Sequence, residues 1–189
     1  MTPEAYLAIE RAAEYKSEFV RGAMLAMAGA TMKHTAIVNN VSGELYGLLK
    51  GRRCRILTQD MRGKAPSMTS YFYPDVLGLC GPAQLEDAKE DTLLNPSLVI
   101  EVLSPSTEAY DRGEKFFHYQ TIATLQEYVL LSQFHPRAEV FTRSGDAWNY
   151  RVIEGLDARL TLASIECAVS LADIYRDVDL AAPVPASMR

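Results

Sequence analysis

Apolar residues recur every three or four positions over residues 34–50, at Ile37, Val38, Val41, Leu45, Leu48 and Leu49. That spacing lays one face of an amphipathic helix against a core. Upstream, TPEAYLAIERAAE offers Thr2 as a helix-starting residue and Pro3 for the first turn. With Tyr6, Leu7 and Ile9 as its apolar positions, it predicts a short helix. FVRGAMLAM reads as a hairpin. Residues 55–57 and 76–80 read as strands, with the turn-rich GKAPSMTS between them as a loop.

After Cys80 the polar run GPAQLEDAKEDTLLNP reads as irregular chain, and 98–103 as an apolar strand interrupted by one carboxylate, Glu101. SPST then breaks the strand. A second helix is predicted over 111–122, with Phe116, Phe117, Tyr119 and Ile122 on its apolar side. Strands follow near 128–132, 138–142 and 148–153, with SGD turning between the last two. The closing AAPVPASMR reads as a loose tail, so the chain divides into one α/β domain over 1–180 and a tail over 181–189.

Composition fits one compact domain, because 189 residues at 48% hydrophobic content supply a single sizeable core. Neither a membrane span nor a signal peptide is legible, and the expected location is the cytoplasm. Cys54, Cys80 and Cys167 lack the paired spacing of a zinc site or a disulfide framework and read as small core residues. The net charge of -5 argues against a protein that coats nucleic acid. Arg52, Arg53, Arg55, Arg62 and Lys64 still form a local basic cluster, either a phosphate-binding stretch or a solvated face.

The chemistry starts from Glu101. An ionised carboxylate inside LVIEVL costs several kcal/mol, on the order of any buried ion, unless it is compensated. Two compensations are open: a buried ion pair with one of the arginines, or a bound cation. Asp75, which follows Pro74 at the start of another apolar strand, favours the cation. Acidic residues converging from neighbouring strands form the oxygen-rich set that Mg²⁺ or Mn²⁺ prefers.

YPDVLGLC followed by PSLVIEVLSPSTEAYDRGEKFFHYQTIATLQEYVLLS closely resembles the pattern of the Uma-type family of restriction-endonuclease-like proteins, within the PD-(D/E)XK nuclease superfamily. Weaker echoes in SEFVRG, His34 and TQDMRG extend the resemblance over roughly residues 14–155. The resemblance implies a restriction-endonuclease-like fold, a central mixed β-sheet flanked by helices. It also implies a metal site of Asp75, Glu101 and the backbone carbonyl of Val102. Where a D/E-X-K motif places its lysine, this chain has Leu103; the residue matching the family's displaced lysine is Lys115. Asp111 and Glu114 have capping-box spacing, which would start the helix near Arg112 and bring Lys115 to its first turn.

Glu18 and His34 match positions where the family carries a Glu and a His, as an outer ligand through water and a contact to phosphate or water. Structural roles are equally open to both. His118 and His135 read as structural; Tyr73 and Tyr119 could position substrate, but core packing is the favoured reading for both. The function implied is a Mg²⁺- or Mn²⁺-dependent endonuclease that hydrolyses DNA phosphodiesters with a metal-activated water and works as a homodimer, away from membranes. Two rivals stand beside it: an inactive nuclease-fold module that binds nucleic acid or protein, and a hydrolase of small phosphoesters.

Overall fold

The computed structural model describes residues 1–58 and 60–180. The expected tail and Gln59 of TQDMRG lie outside the described residues. Helix α1 (Pro3–Glu10) starts as predicted, with the Thr2 hydroxyl accepting from the Ala5 amide. Tyr6 and Leu7 are buried, whereas Ile9 is exposed. Strands β1 (Ser17–Val20) and β2 (Ala23–Ala26) make the expected hairpin. Its turn holds Arg21 and Gly22 at φ of 50° and 84°, the positive-φ pair that a two-residue loop demands.

Helix α2 (Met32–Leu49) buries Ile37, Val38, Val41, Leu45 and Leu49, the stripe read from the sequence, while Leu48 faces outward. Each such side chain stabilises by about 1.5–3 kcal/mol relative to exposure, so the stripe docks the helix firmly.

Next come β3 (Cys54–Thr58), β4 (Arg62–Ala65), β5 (Ser70–Phe72), β6 (Val76–Cys80), β7 (Thr92–Leu93) and β8 (Leu98–Val102). Here one expectation fails. GKAPSMTS is no simple loop: it runs from β4 through a 3₁₀ turn, Pro66–Met68, into β5. These strands are too short to show alternation, and what holds them is burial of Ala65, Tyr71 and Phe72. The run after Cys80 likewise hides β7, which pairs parallel with β4.

The predicted second helix begins earlier than expected, at α3 (Glu108–Tyr110). It continues through a π-type stretch, Asp111–Lys115, into α4 (Phe116–Tyr119). Asp111 is therefore not an N-cap, and the capping-box reading is wrong. Strands β9 (Glu127–Leu131), β10 (Arg137–Ser144) and β11 (Ala147–Glu154) lie where the pattern puts them. Beyond them, β12 (Arg159–Leu162), β13 (Cys167–Ser170) and α5 (Leu171–Ile174) form an unpredicted hairpin and helix that close the core under α2.

The central sheet is mixed, with six strands in the order β11-β10-β9-β8-β6-β3 and one parallel pair, β8 and β9. A five-stranded sheet, β2-β1-β5-β4-β7, lies beside it. The central strands of the six-stranded sheet, β6, β8 and β9, are buried on both faces. On one, Leu98, Ile100 and Val102 pack with α2; on the other, Val99 and Leu103 pack with Phe116 and Tyr119. Glu101 shares the second face, beneath the α3–α4 segment.

Cys54 and Cys80 are not separate core thiols as expected, but are joined in a disulfide. The antiparallel register of β3 and β6 sets them opposite each other, a pairing that sequence spacing could not reveal. Among the described residues, no helix is long and apolar enough to cross a membrane.

Gly78 sits where β6 meets β8, and a Cβ there would fall 2.8 Å from the Leu98 Cβ and 3.2 Å from the Ile165 Cγ2. Gly78→Ala should therefore destabilise the fold by about 1–3 kcal/mol through overpacking. An unshifted urea midpoint would count against this close packing.

Candidate active site

Asp75 directly precedes β6. The antiparallel register that pairs Val76 with Ile100 brings it level with Glu101 of β8. Its two oxygens are held separately: Oδ1 lies 2.8 Å from the His34 Nε2, and Oδ2 accepts from the Val102 amide at 2.7 Å. The resemblance implied the Val102 carbonyl as a ligand; the contact the structure brings to Asp75 is the Val102 N–H. His34 reaches Asp75 because the Thr31 hydroxyl caps α2, accepting from the His34 amide, and so fixes the helix's first turn.

Lys115 is almost completely buried and points back under α3 toward the sheet. Its Nζ lies 2.9 Å from Glu101 Oε1, 3.0 Å from Glu18 Oε1 and 3.7 Å from Asp111 Oδ1. The π-type stretch ends at this residue. Such a wider turn re-aims the side chains it contains and is frequent at functional sites. Glu18 comes from β1 of the neighbouring sheet, and the Tyr73 amide donates to the same Oε1 at 3.3 Å. Glu18 is thus a direct partner of the lysine, where the sequence left both a water-bridged outer ligand and a structural role open.

Two participants escaped the sequence reading. Asp111 reads as a cap but lies in the cluster, and Tyr119, a core aromatic as favoured, also donates its hydroxyl to Glu101 at 3.2 Å, a contact not foreseen. The D-x-x-E spacing hid the first, and an aromatic on an apolar helix face gives no sign of the second. His118 is structural as expected, buried and bonded to the Ser70 hydroxyl at 2.9 Å. His135 is exposed, with its backbone amide donating to the Ser132 hydroxyl. Tyr73 serves both packing and the cavity wall, with its hydroxyl between Arg62 and Glu10.

The carboxylates open into a cavity of about 800 Å³. Residues 25–30 give it an apolar lining, and Ser104, Ser106 and Thr107 line it as well, the Ser104 hydroxyl bonded to those of Ser106 and Thr107. None of the clustered Arg52, Arg53, Arg55, Arg62 and Lys64 lines it. Arg62 is buried in an ion pair with Asp91 and a bond to Tyr73, and Lys64 is paired with Glu86. Those two are held in ion pairs, so neither of the readings left open for the cluster, phosphate contact or solvated face, describes them.

The charge balance is informative. Burial pushes the Glu101 carboxyl well above its ordinary range, Asp111, Asp75 and Glu18 add to the shift, and Lys115 opposes it. Burial also raises Asp111. Burial works against the Lys115 ammonium too, but Glu101 and Glu18 outweigh it and hold the lysine charged. Three acids therefore surround one lysine and Asp75 adds its charge on the far side of Glu101, more negative charge than a single ammonium balances. Hard oxygen donors in excess fit a divalent cation, which would take the place of the protons the acids otherwise hold. Among the described residues, no three His, Cys, Asp or Glu side chains converge as a ready-made metal cage. Asp75 and Glu101 would hold such an ion with backbone or water oxygens completing the shell.

A family model described as "Uma2: Putative restriction endonuclease" matches residues 3–172. Two proteins of Synechocystis sp. (strain ATCC 27184 / PCC 6803 / Kazusa) are similar along nearly their whole length. Uncharacterized protein sll1609 is 37% identical over 161 residues, covering 85% of this chain and 91% of that protein. Uncharacterized protein slr1290 is 34% identical over 180 residues, covering 93% and 92%. The fold matches the crystal structure of a protein from Anabaena variabilis ATCC 29413, described as a putative nuclease belonging to DUF820. That match has a TM-score of 0.76 at 18% identity and covers 93% of this chain and 97% of the other.

Proposed function

We propose, from the premise that the chain belongs to the Uma2 family and has a nuclease-like fold, that it is a Mg²⁺- or Mn²⁺-dependent endonuclease hydrolysing DNA phosphodiesters. The observation that carries the reading is the buried Lys115 held between Glu101 and Glu18 beside Asp75, at the floor of an open cavity. A lysine used only for solubility would lie in water, and a lysine used only to neutralise Glu101 would not need an open cavity above it.

Asp75 and Glu101 would hold the cation. When bound, the cation supplies Lewis-acid stabilisation of phosphate charge and makes a nearby water more acidic. Lys115 keeps its proton and directs it at the reacting region, orienting the attacking water and stabilising charge as it develops. His34 holds Asp75 in place, and the hydroxyls of Ser104, Ser106 and Thr107 offer donors to phosphate oxygens. An enzyme of this kind that cuts both strands would act as a homodimer, one cleft for each strand.

The test is incubation with plasmid, single-stranded DNA, RNA and a generic small phosphodiester in Mg²⁺ or Mn²⁺, with and without chelator. Cleavage of DNA that chelator abolishes is the expected result. Binding of DNA without cleavage in either metal would make the chain an inactive module, and turnover of the small ester alone would make it a small-phosphoester hydrolase.

A further inference from the structure

Gln133 is one of the few polar side chains buried almost completely, and nothing in the sequence pattern singles it out. It follows β9 and lies against two other elements, the end of β8 and the start of α2. Its Nε2 donates to the Leu103 carbonyl at 2.8 Å and lies 3.5 Å from the His34 Nδ1, while its Oε1 accepts from the Thr31 hydroxyl at 2.9 Å.

These contacts fix the direction of the amide. The Leu103 carbonyl can only accept, so the nitrogen of Gln133 must face it; the oxygen then faces the hydroxyl of Thr31. With the amide so oriented, its second N–H is directed at the His34 Nδ1. That ring nitrogen must be the acceptor, which places the ring proton on Nε2, facing Asp75 at 2.8 Å. We propose that Gln133 is a positioning residue: it sets the ring orientation and tautomer of His34, and through His34 the direction of the Asp75 carboxylate. The idea rests on the endonuclease reading for its purpose, though not for its geometry. A buried hydrogen bond to the far nitrogen of a histidine that holds a reactive carboxylate is a recurrent way of fixing the tautomer.

The ¹⁵N and ¹H NMR signals of the His34 ring, recorded at mildly alkaline pH without metal or DNA, test this directly. Wild type should carry its proton on Nε2. Gln133→Glu keeps the size and the oxygen facing Thr31 but sets a second carboxylate against Nδ1 while Asp75 still accepts from Nε2, so both ring nitrogens should carry protons. Gln133→Met removes the donor with little change of volume and should lower the share of the Nε2–H tautomer without abolishing it, because Asp75 still accepts from Nε2. A purely structural Gln133 would leave the ring protonation unchanged, because the volume survives in both variants and the bond to Thr31 in one. A wild-type proton on Nδ1, or unaltered ring protonation in both variants, would overturn the proposal. Circular dichroism of each variant establishes that the fold is intact. If the ring protonation changes as expected while wild type cleaves no DNA, the endonuclease reading fails and the assignment of Gln133 stands. If wild type cleaves DNA and the ring protonation does not change, the reverse holds.

Discussion

Lys115→Met should lower DNA cleavage by roughly 10²-fold or more, the scale of losing one preorganised electrostatic donor. It should also make stability strongly dependent on pH. The ammonium is the group that opposes the upward push on Glu101, so its removal drives that carboxyl higher still. A carboxyl whose folded pKa exceeds its unfolded value holds a proton when folded and releases it on unfolding. Its folded form therefore loses stability as pH rises from the ordinary carboxylate range toward the raised folded value, and regains it on acidification. Breaking a buried pair by removing one partner costs about 3–5 kcal/mol when the remaining charge stays ionised. Protonation of Glu101 and Asp111 should reduce that loss at pH 5 and leave more of it at pH 8. Urea denaturation at both pH values, with and without Mn²⁺, reads the effect. A variant that matches wild type in stability at pH 8 and in cleavage rate would show that the lysine is a bystander.

How much of this was legible follows from what each residue's signal depends on. The stripe at Ile37, Val41 and Leu45 is a local period, so α2 could be read without any knowledge of its partners. Glu101 stood out because a carboxylate in an apolar strand violates burial, and that violation is visible in six letters. Lys115 was different: its place in the site came from resemblance, and the local argument offered for it failed. Asp111 does not start a helix, because the chain is already helical from Glu108; the π-type stretch, not a capping box, aims the lysine.

What stayed hidden depends on contacts between distant segments. Glu18 reaches Lys115 only because β1 pairs with β5 in a second sheet whose strands are too short to show a period. Gln133 acquires its role only when the end of β9 meets the N-terminus of α2 and the end of β8. The Cys54–Cys80 bond follows from the register of β3 and β6, and Arg62 and Lys64 leave the basic cluster because they find Asp91 and Glu86. Such pairings are set by topology, which composition and periodicity do not encode.

Asp75→Asn should abolish measurable Mn²⁺ binding by calorimetry and reduce cleavage at least as severely as the lysine variant. The substitution keeps the shape but gives the side chain one oxygen and one NH₂ where wild type has two acceptors. Oδ2 accepts from the Val102 amide, a donor that cannot change, so the remaining oxygen of the Asn must turn there. The new NH₂ then faces His34, whose Nε2 would have to give up its proton to accept. Gln133 opposes that change with its N–H directed at the other ring nitrogen. One donor is left facing another in a half-buried site, at a cost of about 1–3 kcal/mol in stability. The Asn variant should therefore lose metal, activity and some stability together, whereas Lys115→Met loses activity and a pH-dependent part of its stability. Equal Mn²⁺ binding by wild type and Asp75→Asn would remove Asp75 from the cation site and leave the carboxylate as a structural partner of His34 and Val102.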